Sequence, residues 1–175
     1  MMTTGIVHFV VIIVWMLMAW VVYYWSRNPA VVDGFWALGF FILVVSVWWR
    51  APDLSLSSEV LLTLIAIWSL RLFLHLFLTR IRHGYRDPRY LALASGWTIK
   101  EGFAFLGHYV LQGLLLSIVA LPLVCLSVAA MPFSACVVVG AVVMVVAMVN
   151  EAIADWQLHR FKRRGQGQVC QVGWW

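Results

Sequence analysis

Two carboxylates, Glu151 and Asp155, stand four residues apart in the stretch 150–164, NEAIADWQLHRFKRR, directly after an apolar run long enough to cross a bilayer. On a helix that spacing puts both on one face. Lys162, eleven residues past Glu151, comes back to nearly the same face after about three turns. Like charges so spaced repel, and carboxylates near a helix C-terminus oppose its dipole. A purely structural helix end favours neutral polar residues, so the pair points to a ligand. The basic residues that follow, Arg160, Lys162, Arg163 and Arg164, read either as an anchor on the cytoplasmic side or as contacts for an anion.

A second set lies in the apolar run near 60–78, with Trp68, Arg71 and His75. Arg71 falls roughly 10 Å inside the end of that run at helical rise. An ionised group at such depth costs on the order of 3 kcal/mol, so it must face a cavity or a partner. Glu151, Asp155 and Asp33 are the acids within reach. Arg71 then either joins two helices through a buried pair or orders a cofactor. His108 and Gln112 enter the next apolar run near its start. Gln112 is either interhelical glue or part of a pocket wall, and the histidines read as packing residues. Sorted by depth, these polar groups gather in one half of the membrane. They outline a cavity lined by Trp68, His75, Gln112 and aromatic rings, suited to an apolar substrate and a water-soluble cofactor.

The elements that must hold these residues follow from composition. Hydrophobic residues make up 64% of the 175 and charged ones 11%, with a mean hydropathy of +0.94. Too little charge remains to cover a soluble surface. The expected fold is all-α, a polytopic transmembrane bundle forming one domain over 1–175. Its spans fall near 5–25, 30–49, 60–78, 103–129 and 133–160, with a short polar tail at 165–175. Ser26, Arg27, Asn28 and Pro29 break the chain between the first two spans, and Pro122 predicts a kink in the fourth. A polar loop is expected over 79–101. Basic residues collect after spans three and five, which puts the N-terminus outside and the C-terminus in the cytoplasm. The net charge of +5 then belongs to cytoplasmic loops, not to a nucleic-acid surface. Cys125, Cys136 and Cys170 form no metal-ligand spacing and no disulfide framework, so no metal is expected. The full-length first run reads as a span and not as a cleaved signal. GxGxxG, Walker, HExxH and GxSxG motifs are absent.

Four blocks carry a resemblance: DGFWALGF (33–40), WSLRL (68–72), DPRY (87–90) and EAIADWQLHRFK (151–162). From about Asn28 onward the chain resembles the bacterial membrane family DUF1295, related to steroid 5-alpha-reductases and more distantly to sterol reductases and isoprenylcysteine carboxyl methyltransferases. The resemblance implies a bacterial inner-membrane oxidoreductase that takes hydride from NADPH and reduces an activated carbon–carbon double bond of a lipid-like enone. It implies membrane lipids and an apolar lipid-like substrate as partners. It places Trp68 and Arg71 in the catalytic region, Trp68 standing where the steroid reductases carry the tyrosine that polarises the substrate carbonyl. It places Glu151 and Asp155 in the cofactor pocket; the helix face adds Lys162 and the cavity lining adds Gln112 as further cofactor-binding candidates. In that family a segment like VCQVGWW leads into an RHPxYxG motif, and this sequence ends at Trp175 before one. The expectation is therefore an N-terminal, five-span portion, incomplete as it stands. The rival expectations are a non-enzymatic membrane protein or remnant, and an S-adenosylmethionine-dependent methyltransferase.

Overall fold

The computed structural model describes residues 2–51, 53–84, 87–96, 101–126, 131–163, 170–171 and 173–174. The protein is all-α, and among the described residues five helices are long and apolar enough to cross a membrane. Contacts divide the chain into two compact units, Met1–Pro132 and Phe133–Trp175.

In the first unit, α1 (Met2–Ser26) ends where Arg27 takes a left-handed φ of 53°. The Arg27 N–H still reaches the Tyr23 carbonyl, at 2.7 Å. Pro29 has no N–H to carry a helix on, and the Asn28 side-chain oxygen accepts from the Ala30 N–H at 3.0 Å. The chain turns back there into α2 (Val31–Arg50). Next, α3 (Leu56–Leu76) starts on Ser55, whose hydroxyl accepts from the Ser58 N–H. It runs on through a π-helical turn, Phe77–Ile81. Thr79 donates its hydroxyl to the His75 carbonyl at 2.6 Å, and the Arg82 N–H reaches back five residues to Phe77. A hydroxyl that takes up a backbone carbonyl in this way frees the turn to widen.

The stretch expected as a loop over 79–101 contains a helix, α4 (Pro88–Ser95). The fourth apolar run is divided. In it α5 (Glu101–Val119) stops before Ala120 and a short α6 (Leu121–Leu126) follows. This corrects the single kinked helix. Pro122 removes one N–H and its ring crowds the carbonyl of residue 118, so the break falls just N-terminal to the proline. Residues 127–130 lie outside the described residues.

The core of this unit is made by α1, α2, α3 and α5. Ile12, Met16 and Tyr23 meet Phe40, Leu43, Leu62, Phe105, Tyr109 and Leu116. Polar staples tie the helices together. Trp15 donates its indole N–H to the Phe35 carbonyl at 2.8 Å, Trp20 to the Gly102 carbonyl at 2.9 Å, and Tyr23 its hydroxyl to Glu101 at 3.3 Å. Away from water such bonds have no solvent competitor, and they fix helix rotation as well as contact.

Gly39 is the closest approach of three helices. A Cβ there would stand 2.5 Å from the Leu116 tip and 3.6 Å from Ile12 and Trp15. Leu116 is fully buried and has little room to yield. Gly39→Val is therefore expected to destabilise the bundle by about 1–3 kcal/mol through overpacking, read as a lower midpoint of unfolding in mixed detergent–SDS micelles.

In the second unit, α7 (Ala135–Arg163) is 29 residues long. At helical rise that is about 43 Å against a hydrocarbon core of about 30 Å, so its polar last turns extend past the apolar stretch. Arg160 lies over the Trp156 ring at 5.4 Å, and the Trp174 N–H donates to the Gln157 side-chain oxygen at 3.0 Å.

Candidate functional site

The start of α2, the π-helical turn and α4 meet at one end of the first unit, and each brings charge there for a local reason. Asp33 lies in the first turn of α2, where a carboxylate complements the helix dipole. Asp87 is the N-cap of α4, its side chain accepting from the Arg89 N–H at 3.0 Å, with Pro88 at the first helical position. Arg89 then folds back on the same carboxylate, Nε to Oδ1 at 3.0 Å and Nη2 to Oδ2 at 2.7 Å. Tyr90 points the other way, across to α2. So the tetrapeptide DPRY is a helix start that presents a guanidinium and a phenol side by side.

These groups close on Asp33. Tyr90 donates its hydroxyl to Asp33 Oδ1 at 2.6 Å, Arg80 Nη1 donates to Oδ2 at 3.2 Å, and Arg89 Nη2 lies 3.6 Å from the same oxygen. Arg80 also donates to Asp87 at 3.4 Å. Two carboxylates and two guanidiniums thus alternate around one point, with formal charges that cancel. Gly34 lets the π-helical turn come in so close. A Cβ on it would lie 2.5 Å from the Ile81 tip and 3.7 Å from the Phe73 ring. His108 and Phe105 of α5 pack on the Tyr90 ring at 5.7 and 6.5 Å.

The cluster opens into a pocket of about 240 Å³ lined by Val32, Asp33, Trp36, Leu72, Leu76, Arg80, Arg89 and Gln112. One wall is charged and the other apolar. Its apolar wall continues along α3, because residues 68, 72, 76 and 80 form one i+4 ridge. The Trp68 ring stands edge-on to Phe40 at 5.4 Å, and Phe40 edge-on to Trp36 at 5.0 Å. The Trp36 indole N–H is shut from solvent and has no hydrogen-bond partner among the described residues. A buried donor left unpaired costs about 1–3 kcal/mol, and this one sits in a pocket wall.

Of the residues singled out from sequence, Gln112 lines this pocket. Trp68 is joined to it through Phe40, and Arg71, half-buried on α3, is not among its lining residues. Asp33, one of three acids considered for Arg71, is taken up by Arg80, Arg89 and Tyr90 instead. Glu151 and Asp155 are half-buried and Lys162 exposed, all on α7 in the second unit. Arg164 lies outside the described residues. Arg80 enters the site from the expected polar loop, and Asp87, Arg89, Tyr90 and Trp36 enter it from blocks that carried the resemblance without being assigned a site role. The signal for Asp87 was the Asp-Pro pair, a helix-start signature. The signal for Arg80 was the i+4 ridge running on from Trp68.

The cluster shifts the ionisation of its members outside the spans. The hydrogen bond from Arg89 holds the Asp87 carboxyl below its usual range. Burial, then the Asp33 charge and the hydrogen bond to it, push the Tyr90 phenol far above its ordinary value of about 10. A phenol whose folded-state value is raised stabilises the fold fully below about pH 10, and that contribution is lost as pH rises beyond it. An Asp whose value is lowered stabilises above about pH 4 and loses its contribution as pH falls further. Unfolding midpoints are therefore expected to fall with rising pH above about 10 in the native protein, and to fall less steeply in Tyr90→Phe. Equal slopes for the two proteins would contradict the Tyr90–Asp33 bond.

Fold and site together define a class: a polytopic, all-α integral membrane protein with a polar, ion-paired pocket at one end of its helix bundle. The chain belongs to the family described as Protein of unknown function (DUF1295), whose model matches residues 19–175. That match takes in every member of the cluster. No curated protein and no solved structure gives a match.

Proposed function

We propose that this protein is a membrane oxidoreductase, of the steroid 5-alpha-reductase-like kind its sequence resembles, in which the Asp33 pocket is where an apolar, carbonyl-bearing substrate meets NADPH. The observation that carries the reading is the join itself. An aromatic and aliphatic wall ends at two guanidiniums, a carboxylate and an unpaired indole N–H. The basic residues that follow the third span support reading this end as cytosolic by the positive-inside rule, where a nucleotide is available.

At about 240 Å³ the pocket takes only the part of each ligand where the two meet, and its residues offer contacts for those parts. Arg80 binds its acids through Nη1 alone, and Arg89 through Nε and Nη2. Both forks keep N–H groups for a phosphate oxygen. Because the cluster is neutral overall, an anion binds through these donors and gains little from net charge, so moderate affinity follows. Gln112 offers an amide that can pair with a carboxamide. The Trp36 N–H can hold a substrate carbonyl oxygen, and Leu72, Leu76 and Trp68 take the apolar body. Tyr90 acts through Asp33 as a positioning residue, fixing the carboxylate that keeps both arginines in place. Bound NADPH would supply a hydride to the β-carbon of the enone while the α-carbon takes a proton, leaving the saturated ketone and NADP+. Trp68 and Arg71, and Glu151 and Asp155 of α7, belong to this reading through the resemblance, and Lys162 through its place on the helix face of Glu151.

The test is thermal unfolding of the purified protein in nanodiscs with NADPH and, separately, with S-adenosylmethionine. A rise of the midpoint with NADPH alone supports the oxidoreductase. A rise with S-adenosylmethionine alone would make it a methyltransferase, and no rise with either would favour a purely structural polar cluster.

A further inference from the structure

A second cavity lies in the other half of the bundle, and it is independent of the oxidoreductase reading. It measures about 340 Å³, within the size range of small-molecule sites. Gly5 and His8 of α1, Leu43 of α2, Ser117 of α5, and Leu121 and Val124 of α6 are among its walls. Leu43 is ten residues along α2 from Asp33, about 15 Å at helical rise, so the two sites occupy opposite halves. The wall is almost wholly apolar, which by itself would describe a gap for lipid tails.

His8 makes the difference. It is 4% exposed, and neither ring nitrogen has a hydrogen-bond partner among the described residues. An imidazole always carries at least one N–H donor, and when neutral also an acceptor. Buried without partners, it is costly unless something in the cavity answers it. Ser117 is the other polar residue of the wall. Its hydroxyl is already donated to the Gly113 carbonyl at 2.8 Å, which leaves its lone pairs as acceptors. Nothing among the described residues outside its own helix backbone lies within 4 Å of where a Gly5 Cβ would be, so there is open space beside His8.

We infer that this cavity is a binding site for a single-chain lipid bearing one hydroxyl group, the hydroxyl pairing with His8 and the chain lying against α5 and α6. A hydroxyl both donates and accepts, which suits an imidazole together with the Ser117 oxygen. A hydrocarbon would leave His8 as unsatisfied as it is now.

The experiment uses a hexadecanol analogue carrying a diazirine, photolysed with the protein in phosphatidylcholine nanodiscs and mapped by peptide mass spectrometry. Label is expected to concentrate in residues 5–12 and 114–124. Unlabelled hexadecanol should displace it at roughly one tenth the concentration that hexadecane needs, the worth of one hydrogen bond. His8→Leu should remove the difference between alcohol and alkane. Gly5→Leu, which has space for its new side chain, should abolish the label. Equal displacement of label from the native protein by hexadecane and hexadecanol would overturn the proposal, whether or not the variants fold. So would label in 114–124 that survives Gly5→Leu in a protein that still elutes as a single species.

Discussion

Asp33→Ala is expected to destabilise the protein by about 2–3 kcal/mol and to abolish any ligand-induced stabilisation. The carboxylate joins three elements at once. Removing it leaves the Tyr90 hydroxyl, buried between α2 and α5, without its 2.6 Å acceptor, and leaves Arg80 and Arg89 sharing Asp87 alone. A hydrogen bond to a charged group is worth about 1.5–3 kcal/mol, and breaking a fully buried ion pair 3–5 kcal/mol. The lower part of that span applies here, because the Asp33 side chain is 25% and Arg80 34% exposed, and solvent screens them. A double-mutant cycle with Tyr90→Phe isolates the shared part. The two losses should sum to clearly more than the double variant shows. Strict additivity, measured by SDS unfolding in mixed micelles, would mean that the two groups do not act together.

The second large effect concerns Arg80. Arg80→Met keeps most of the apolar stem on the ridge with Leu72 and Leu76 but removes the fork that reaches both Asp33 and Asp87. If the guanidinium also holds a phosphate, NADPH affinity should fall about 10–100-fold, the worth of one charge-assisted hydrogen bond. Arg27 is the natural control. It lies near the start of α2, over the Tyr24 ring at 4.8 Å, and outside the pocket. Arg27→Met removes the same charge from the protein and should change affinity little. Equal losses for the two variants would reduce the effect to general electrostatics.

The bundle was legible because its signal is thermodynamic. A run such as 5–25 has no alternative in water, and Asn28-Pro29 has no alternative but to break. The exact division at Ala120 was less so, since a proline states that a helix is disturbed but not whether it bends or stops. Asp33 could be found from its depth alone. Its partners could not, because Arg80 sat in what looked like a polar loop, where arginines are ordinary membrane anchors. The widened turn at Phe77–Ile81 continues the helix and brings Arg80 back onto the ridge of Trp68. Only the Thr79 hydroxyl bond to His75 accounts for that turn locally. DPRY was noticed as a block of residues, but its chemistry appears only when Asp87 is seen capping α4 and Tyr90 reaching Asp33. Trp36 was hidden among many aromatic residues, and only an unpaired N–H together with a place in the pocket wall separates it from the packing rings.

The most direct test of the central claim, that the Asp33 pocket joins NADPH to a lipid-like enone, is a deuterium-transfer experiment. The purified protein in nanodiscs is incubated with NADPH deuterated at the transferable C4 position and a long-chain enone, and the lipid products are read by mass spectrometry. The account predicts a saturated ketone carrying one deuterium at the former β-carbon, formed by the native protein and strongly reduced in Arg80→Met. Absence of deuterated product, together with an unfolding midpoint that NADPH leaves unmoved, would contradict it.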